Sequence, residues 1–155
     1  MRNWLVISAL SLIPSVVAVL SWYNEWRYSL PTPVPGQYHS VAAKDHIDLT
    51  GKLKPIGNLP VFLHFFNPGC PCSKFNIPQF RFLATEYAGK ISFAVIVMTE
   101  DKSYTEKKIQ EKYSVTTVVL FDTSLAGLFG IYFTPQAVSP DKNNTLYFRG
   151  NLQVG

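Results

Sequence analysis

The sequence is short of the residues that most often announce a chemistry. It has only two cysteines, three histidines and two methionines in 155 residues. Three imidazoles at no recognisable ligand spacing give little for a zinc site, which normally takes four ligands. Charged residues make up only 15% of the chain, and the net charge is +4. The charge is dispersed: from His46 onward there are eleven Lys/Arg against eight Asp/Glu. A nucleic-acid binder usually shows a concentrated basic stripe. None is present, so no nucleic-acid partner is expected. Internal repeats are also absent. Hydrophobic residues reach 47%, which is enough for a packed core and unlike a disordered chain.

The two cysteines stand in one tripeptide, Cys70-Pro71-Cys72. A stabilising framework would separate its cysteines so as to close long loops. A bridge over one intervening residue restrains almost nothing, so global stapling is not the purpose of the pair. Two peptide steps put the Cα atoms roughly 5.5–7 Å apart, which overlaps the window for a disulfide. The small ring implies strain, and strained disulfides are more oxidising and more easily reduced.

The N-terminus holds the longest apolar run, Trp4 to Trp22, with no charge and interrupted only by serines and Pro14. As a helix it would span roughly 28 Å, close to a bilayer's hydrocarbon core. Arg2 precedes it, and Trp4, Trp22, Tyr23 and Trp26 flank it as interfacial aromatics do. Residues 1–27 therefore read as an uncleaved transmembrane signal-anchor. A cleaved signal peptide fits less well, because Ala18-Val19-Leu20 lacks the second small residue of a cleavage site. The expected location is the cell inner membrane, crossed once, with the domain on the periplasmic or extracytoplasmic side, where disulfide chemistry is at home. Tyr28 to Ser40 contains three prolines and a glycine, so residues 28–45 read as a semi-rigid linker. Residues 46–155 remain for the globular domain.

Within that domain, Pro60 to Phe66 is a short apolar run bounded by proline and by Asn67-Pro68-Gly69, and it predicts a buried strand. A helical stretch follows the cysteines as far as Tyr87, with Pro78 in its first turns and Gly89 as its stop. Ile91 to Met98 predicts a second buried strand, Ser103 to Tyr113 a surface helix, and Thr116 to Phe121 a third strand. Ser124 to Phe129 predicts a short helix. Gln136 to Ser139 and Thr145 to Arg149 predict a closing hairpin. Alternating strands and helices imply parallel pairing with right-handed crossovers, and the hairpin adds antiparallel pairing. The cysteines fall where a central strand ends and a helix begins, the usual place for a reactive site in such sheets. A helix start favours the thiolate, so a lowered cysteine pKa is expected there.

Four segments make the stretch from Pro60 to Gly150 resemble the thioredoxin-like superfamily, in particular its membrane-anchored periplasmic branch and the peroxiredoxin-related reductases. They are Phe65-Phe66-Asn67-Pro68-Gly69-Cys70-Pro71-Cys72; Pro78 in the following helix; Leu128-Phe129-Gly130-Ile131-Tyr132-Phe133-Thr134-Pro135; and the closing turn with Leu146-Tyr147-Phe148-Arg149-Gly150. The resemblance implies an α/β thioredoxin-like three-layer sandwich, a mixed central sheet flanked by helices and preceded by one transmembrane helix. It implies that Thr134-Pro135 is cis and faces the cysteines, and that Thr134, Pro135 and Pro71 shape a groove for an extended substrate.

The resemblance further implies a thiol–disulfide oxidoreductase, with Cys70 and Cys72 catalytic and Cys70 the attacking thiol. Partners would be the thiols and disulfides of exported proteins, or a redox carrier protein, with the membrane held through the N-terminal helix. No cofactor or metal is implied. His64 falls six residues before Cys70, in the family's buried-acid slot, where it is a candidate proton relay; the simpler role is a strand histidine bonded to a backbone carbonyl. Two departures stand out. The family's loop is Cys-x-x-Cys whereas this one is Cys-x-Cys, and the sequence ends at Gly155, where the family adds a closing helix. Three other readings stay open: a copper(I) carrier, a thiol peroxidase, and a redox-inactive binding domain. The peroxidase is disfavoured because Asn67 stands where that family has a threonine.

Overall fold

The computed structural model describes residues 2–29, 33–36, 38–49, 51–53 and 59–152. The chain divides into two units, Met1–Pro33 and Val34–Gly155. The first contains helix α1, Arg2–Ser29. Pro14 lies inside it, and the Ser15 hydroxyl donates to the Ser11 carbonyl at 2.8 Å. Among the described residues no helix is long and apolar enough to cross a membrane. The side chains of residues 5–9, the first part of the apolar run, lie outside the described set.

The second unit is built on one sheet. Its elements are β1 Val61–Phe66, α2 Pro71–Phe75, α3 Ile77–Glu86, β2 Ser92–Val97, α4 Glu106–Tyr113, β3 Val118–Leu120, α5 Ser124–Leu128, β4 Gln136–Pro140 and β5 Leu146–Gly150. The strand order is β3-β2-β1-β4-β5, so β1 is central. It runs parallel to β2, with His64 opposite Val95, and antiparallel to β4, with His64 opposite Ala137. β2 and β3 are parallel, and β4 and β5 form the antiparallel hairpin.

Strand side chains alternate between faces, so a strand covered on both sides reads as a continuous apolar run. Val61, Leu63 and Phe65 join one core with Ala94, Ile96, Leu125, Phe129 and Val138. Phe66 joins the other with Phe93, Val95, Val97, Ile77, Phe80 and Ile109, drawn from β2, α3 and α4. This double cover is why Pro60 to Phe66 and Ile91 to Met98 carry almost no polar residue.

The linker expected over residues 28–45 ends earlier than its proline content suggested. From Val34 the chain belongs to the globular unit. The Lys44 N–H donates to Leu146 O at 2.8 Å, the Leu146 N–H to Asp45 O at 2.9 Å, and His46 bridges Thr145. Ile47 and Leu49 are buried in the first core, and the Tyr38 ring meets Tyr132 edge-on at 4.8 Å. Composition marked the prolines but could not register these backbone pairings.

The surface helix also starts later than Ser103. Thr105 is the N-cap of α4, and its Oγ1 accepts from the Lys108 N–H at 3.3 Å. The stretch after the cysteines is two helices, with Asn76 between them and Pro78 in the first turn of α3.

Candidate active site

The Asn67-Pro68-Gly69 turn ends β1 and delivers the cysteines. The Asn67 side chain accepts from the Gly69 N–H at 2.9 Å, and the Cys70 N–H donates to Asn67 O at 3.1 Å. Cys70 is the N-cap of α2, Pro71 the first helical residue and Cys72 the second. Proline suits that position, since its missing N–H would have no partner there. Cys70 and Cys72 form a disulfide with Cα atoms 5.4 Å apart. That spacing lies in the usual disulfide range.

The Thr134–Pro135 peptide is cis. Thr134 O lies 3.8 Å from Cys72 Sγ. A disulfide sulfur carries no proton, so this is a contact in the oxidised protein. It becomes a hydrogen bond only when Cys72 is a thiol. The loop is held from behind: Arg149 Nη1 donates to Phe129 O at 3.1 Å and to Gly130 O at 3.2 Å. Gly130 has φ +61°, and a Cβ there would stand 3.1 Å from both His39 O and Val41 N. Beside the disulfide, Asn67, Met98, Ile131, Tyr132, Phe133 and Thr134 line a groove of about 240 Å³. A larger depression, about 500 Å³ over Ser103, Tyr104, Lys108, Glu111 and Lys112, includes none of these residues.

Cys70, Pro71, Cys72, Thr134 and Pro135 are thus gathered at one end of the sheet. His64 is not joined to them by any hydrogen bond. It is fully buried in β1, its ring stacked on Phe80 at 5.2 Å and 22°. Neither ring nitrogen has a hydrogen-bond partner, so the expected bond to a backbone carbonyl is not made. Burial pushes the imidazole pKa down from 6.5 to about 4; the backbone of Gln136 opposes the shift without completing a bond. His64 is therefore neutral at pH 7.

Sequence reasoning missed Ser73. It lies three residues after Cys70, where a Cys-x-x-Cys loop has its second cysteine. It is fully buried, and its Oγ accepts from the Asn67 N–H at 3.2 Å. The pattern Cys-Pro-Cys-Ser carried that signal, because position three after the first cysteine is the inward one. Among the described residues no group of three or more His, Cys, Asp or Glu is placed to hold a metal.

No protein-family model matches the sequence, and no curated protein matches it. Solved structures do match. A secreted disulfide oxidoreductase of Mycobacterium tuberculosis, homologous to E. coli DsbE, is 19% identical with a TM-score of 0.52, over 64% of this chain and 74% of that one. A Chlorobium tepidum protein described as a putative thiol:disulfide interchange protein DsbE is 17% identical with a TM-score of 0.54, over 63% and 70%. A DsbF homologue from Corynebacterium diphtheriae is 13% identical with a TM-score of 0.56, over 76% and 87%. At these identities the likeness establishes the fold, and the fold of this chain is thioredoxin-like, with a five-stranded mixed sheet and a Cys-Pro-Cys disulfide at the end of its central strand.

Proposed function

We propose that the chain is a membrane-tethered thiol–disulfide oxidoreductase that exchanges disulfides through Cys70 and Cys72. One observation carries this reading: a two-residue disulfide caps the helix that follows the central strand, against the Thr134 backbone, in a fold shared with disulfide oxidoreductases. A thiolate attacks the disulfide, a mixed disulfide forms, and a second thiolate resolves it. The substrates are thiols and disulfides of exported proteins, or of a redox carrier. Thr134, Pro135 and Pro71 border the place where an extended substrate lies. His64 is the candidate proton relay. Because its ring is neutral at pH 7, it can only accept a proton transiently.

The apolar run from Trp4 to Trp22 supports a tether in the inner membrane with the domain in the periplasm, and α1 is helical throughout it. The decisive measurement is the reduction potential of the Cys70–Cys72 couple in the full chain, with catalysed oxidation or reduction of a protein dithiol as the accompanying assay. A reversible two-electron couple is expected, with catalysis abolished in both Cys70→Ser and Cys72→Ser. A pair that does not equilibrate with glutathione buffers would refute it. For the tether, the full chain should stay with the membrane through alkaline extraction, and the reduced cysteines should label with a membrane-impermeant maleimide in spheroplasts. Extraction of the chain or shielding of the cysteines would refute the location.

A further inference from the structure

The two sulfurs are not equivalent. Cys70 is half-buried and belongs to the turn that its N–H closes onto Asn67. Cys72 is exposed. A helix advances about 100° per residue, so adjacent residues cannot face the same way. Ser73 is sealed inward by its burial and by the bond from Asn67, and this turns Cys72 outward. Cys72 Sγ is also the sulfur that lies against Thr134 O, and Thr134 borders the groove that Met98, Tyr132 and Phe133 line. A substrate strand laid along Thr134 therefore meets Cys72 first.

We propose that Cys72, not Cys70, is the sulfur through which substrates enter. This rests on the exchange reading above, and it reverses the order of attack that the resemblance implies. A substrate thiolate attacks Cys72 Sγ. The substrate–Cys72 bond forms, the Cys70–Cys72 bond breaks, and its electron pair stays on Cys70 as a thiolate. The second thiolate of the substrate then attacks its own partner sulfur in the mixed disulfide. The substrate disulfide forms and Cys72 leaves as a thiolate. Two electrons pass from the substrate dithiol to the protein pair. The two substrate protons end on the two cysteines or in solvent. The reverse sequence reduces a substrate disulfide, with the Cys72 thiolate attacking and the Cys70 thiolate closing the ring.

The test uses the full chain. Oxidised protein is mixed briefly with reduced glutathione, quenched with acid and maleimide, and mapped by fragmentation at the Cys70–Pro71 bond. Glutathione should sit on Cys72, with the maleimide on Cys70. In parallel, Cys70→Ser and Cys72→Ser are reacted with an aromatic disulfide, and the limiting rate is taken at high pH, where both thiols are ionised. The exposed thiolate of Cys70→Ser should react about tenfold faster than that of Cys72→Ser, a difference of access rather than of ionisation. Glutathione on Cys70, or limiting rates within twofold, would overturn the assignment while leaving exchange intact. No adduct on either sulfur would overturn both the assignment and the exchange reading.

Discussion

A buried histidine with no partner makes the stability of this domain depend on pH in a calculable way. The folded imidazole of His64 has a pKa of about 4, against 6.5 when unfolded. Between those values the unfolded chain binds a proton that the folded chain does not. Stability is therefore complete above pH 6.5 and falls as the pH drops toward 4. For a single site the loss between pH 7.5 and pH 5 is about 2 kcal/mol. For a domain of this size that corresponds to a fall in Tm of roughly 8 °C.

Other groups do not imitate this. Asp101, Asp122 and Asp141 are held below the ordinary carboxylate range, chiefly by hydrogen bonds from Ser103, Ser124 and Thr145, so they stay ionised across the window. His39 and His46 are exposed and unchanged in a variant at position 64, so they cancel in the comparison. The perturbation is His64→Leu, followed by near-UV circular dichroism melts of the oxidised protein at pH 7.5 and pH 5. The wild type should lose about 2 kcal/mol between the two, and the variant should lose almost none of it. At pH 7.5 the variant should be no less stable. It gives up the ring stacking on Phe80, about 1 kcal/mol, and it removes two unpaired buried nitrogens that each cost a similar amount or more. Parallel pH slopes for the two proteins would refute the reasoning.

Three further substitutions probe the scaffold of the site. Gly130→Ala should cost about 2 kcal/mol in chemical denaturation, because φ is +61° and the new Cβ would press on the backbone at His39 and Val41. Arg149→Met should cost about 2 kcal/mol by removing the donor to Phe129 O and Gly130 O, and limited proteolysis should then cut between residues 129 and 135. Thr105→Ala should cost about 1 kcal/mol through the lost cap on α4, with no effect on thiol exchange.

The parts of the fold that were legible in the sequence are those whose physics is local. β1 and β2 could be read because both their faces are buried, which leaves runs with almost no polar residue. The hairpin could be read because the turn from Pro140 to Asn144 is polar between two apolar segments. The cysteine pair could be placed because a strand ends just before it.

What could not be read depends on neighbours distant in the chain. The segment around Lys44 and Asp45 looked like a spacer because its pairing partner, Leu146, lies about a hundred residues away. His64 was expected to bond a backbone carbonyl, and only the packed structure shows both ring nitrogens without a partner and the ring face stacked on Phe80. Pro71, Phe75, Pro78 and Phe82 are all exposed, so α2 and α3 also turn apolar side chains outward. The asymmetry between Cys70 and Cys72 was hidden for a different reason. It is set by Ser73, whose inward place follows from the helix phase after Cys70 rather than from composition.

That phase has a thermodynamic consequence. Moving the second sulfur one residue back along the helix takes it out of the interior, so the electron-accepting bond lies largely outside the packed core. Reducing it need not open that core, and folding and redox state should be nearly decoupled. By linkage, the difference in stability between the oxidised and reduced domains equals the difference in potential between the folded domain and its unfolded chain, with about 30 mV for every 1.4 kcal/mol. Oxidised and reduced forms of near-equal melting temperature would mean that the potential belongs to the Cys-Pro-Cys tripeptide itself. The fold would then contribute access and alignment, and the tripeptide the oxidising power.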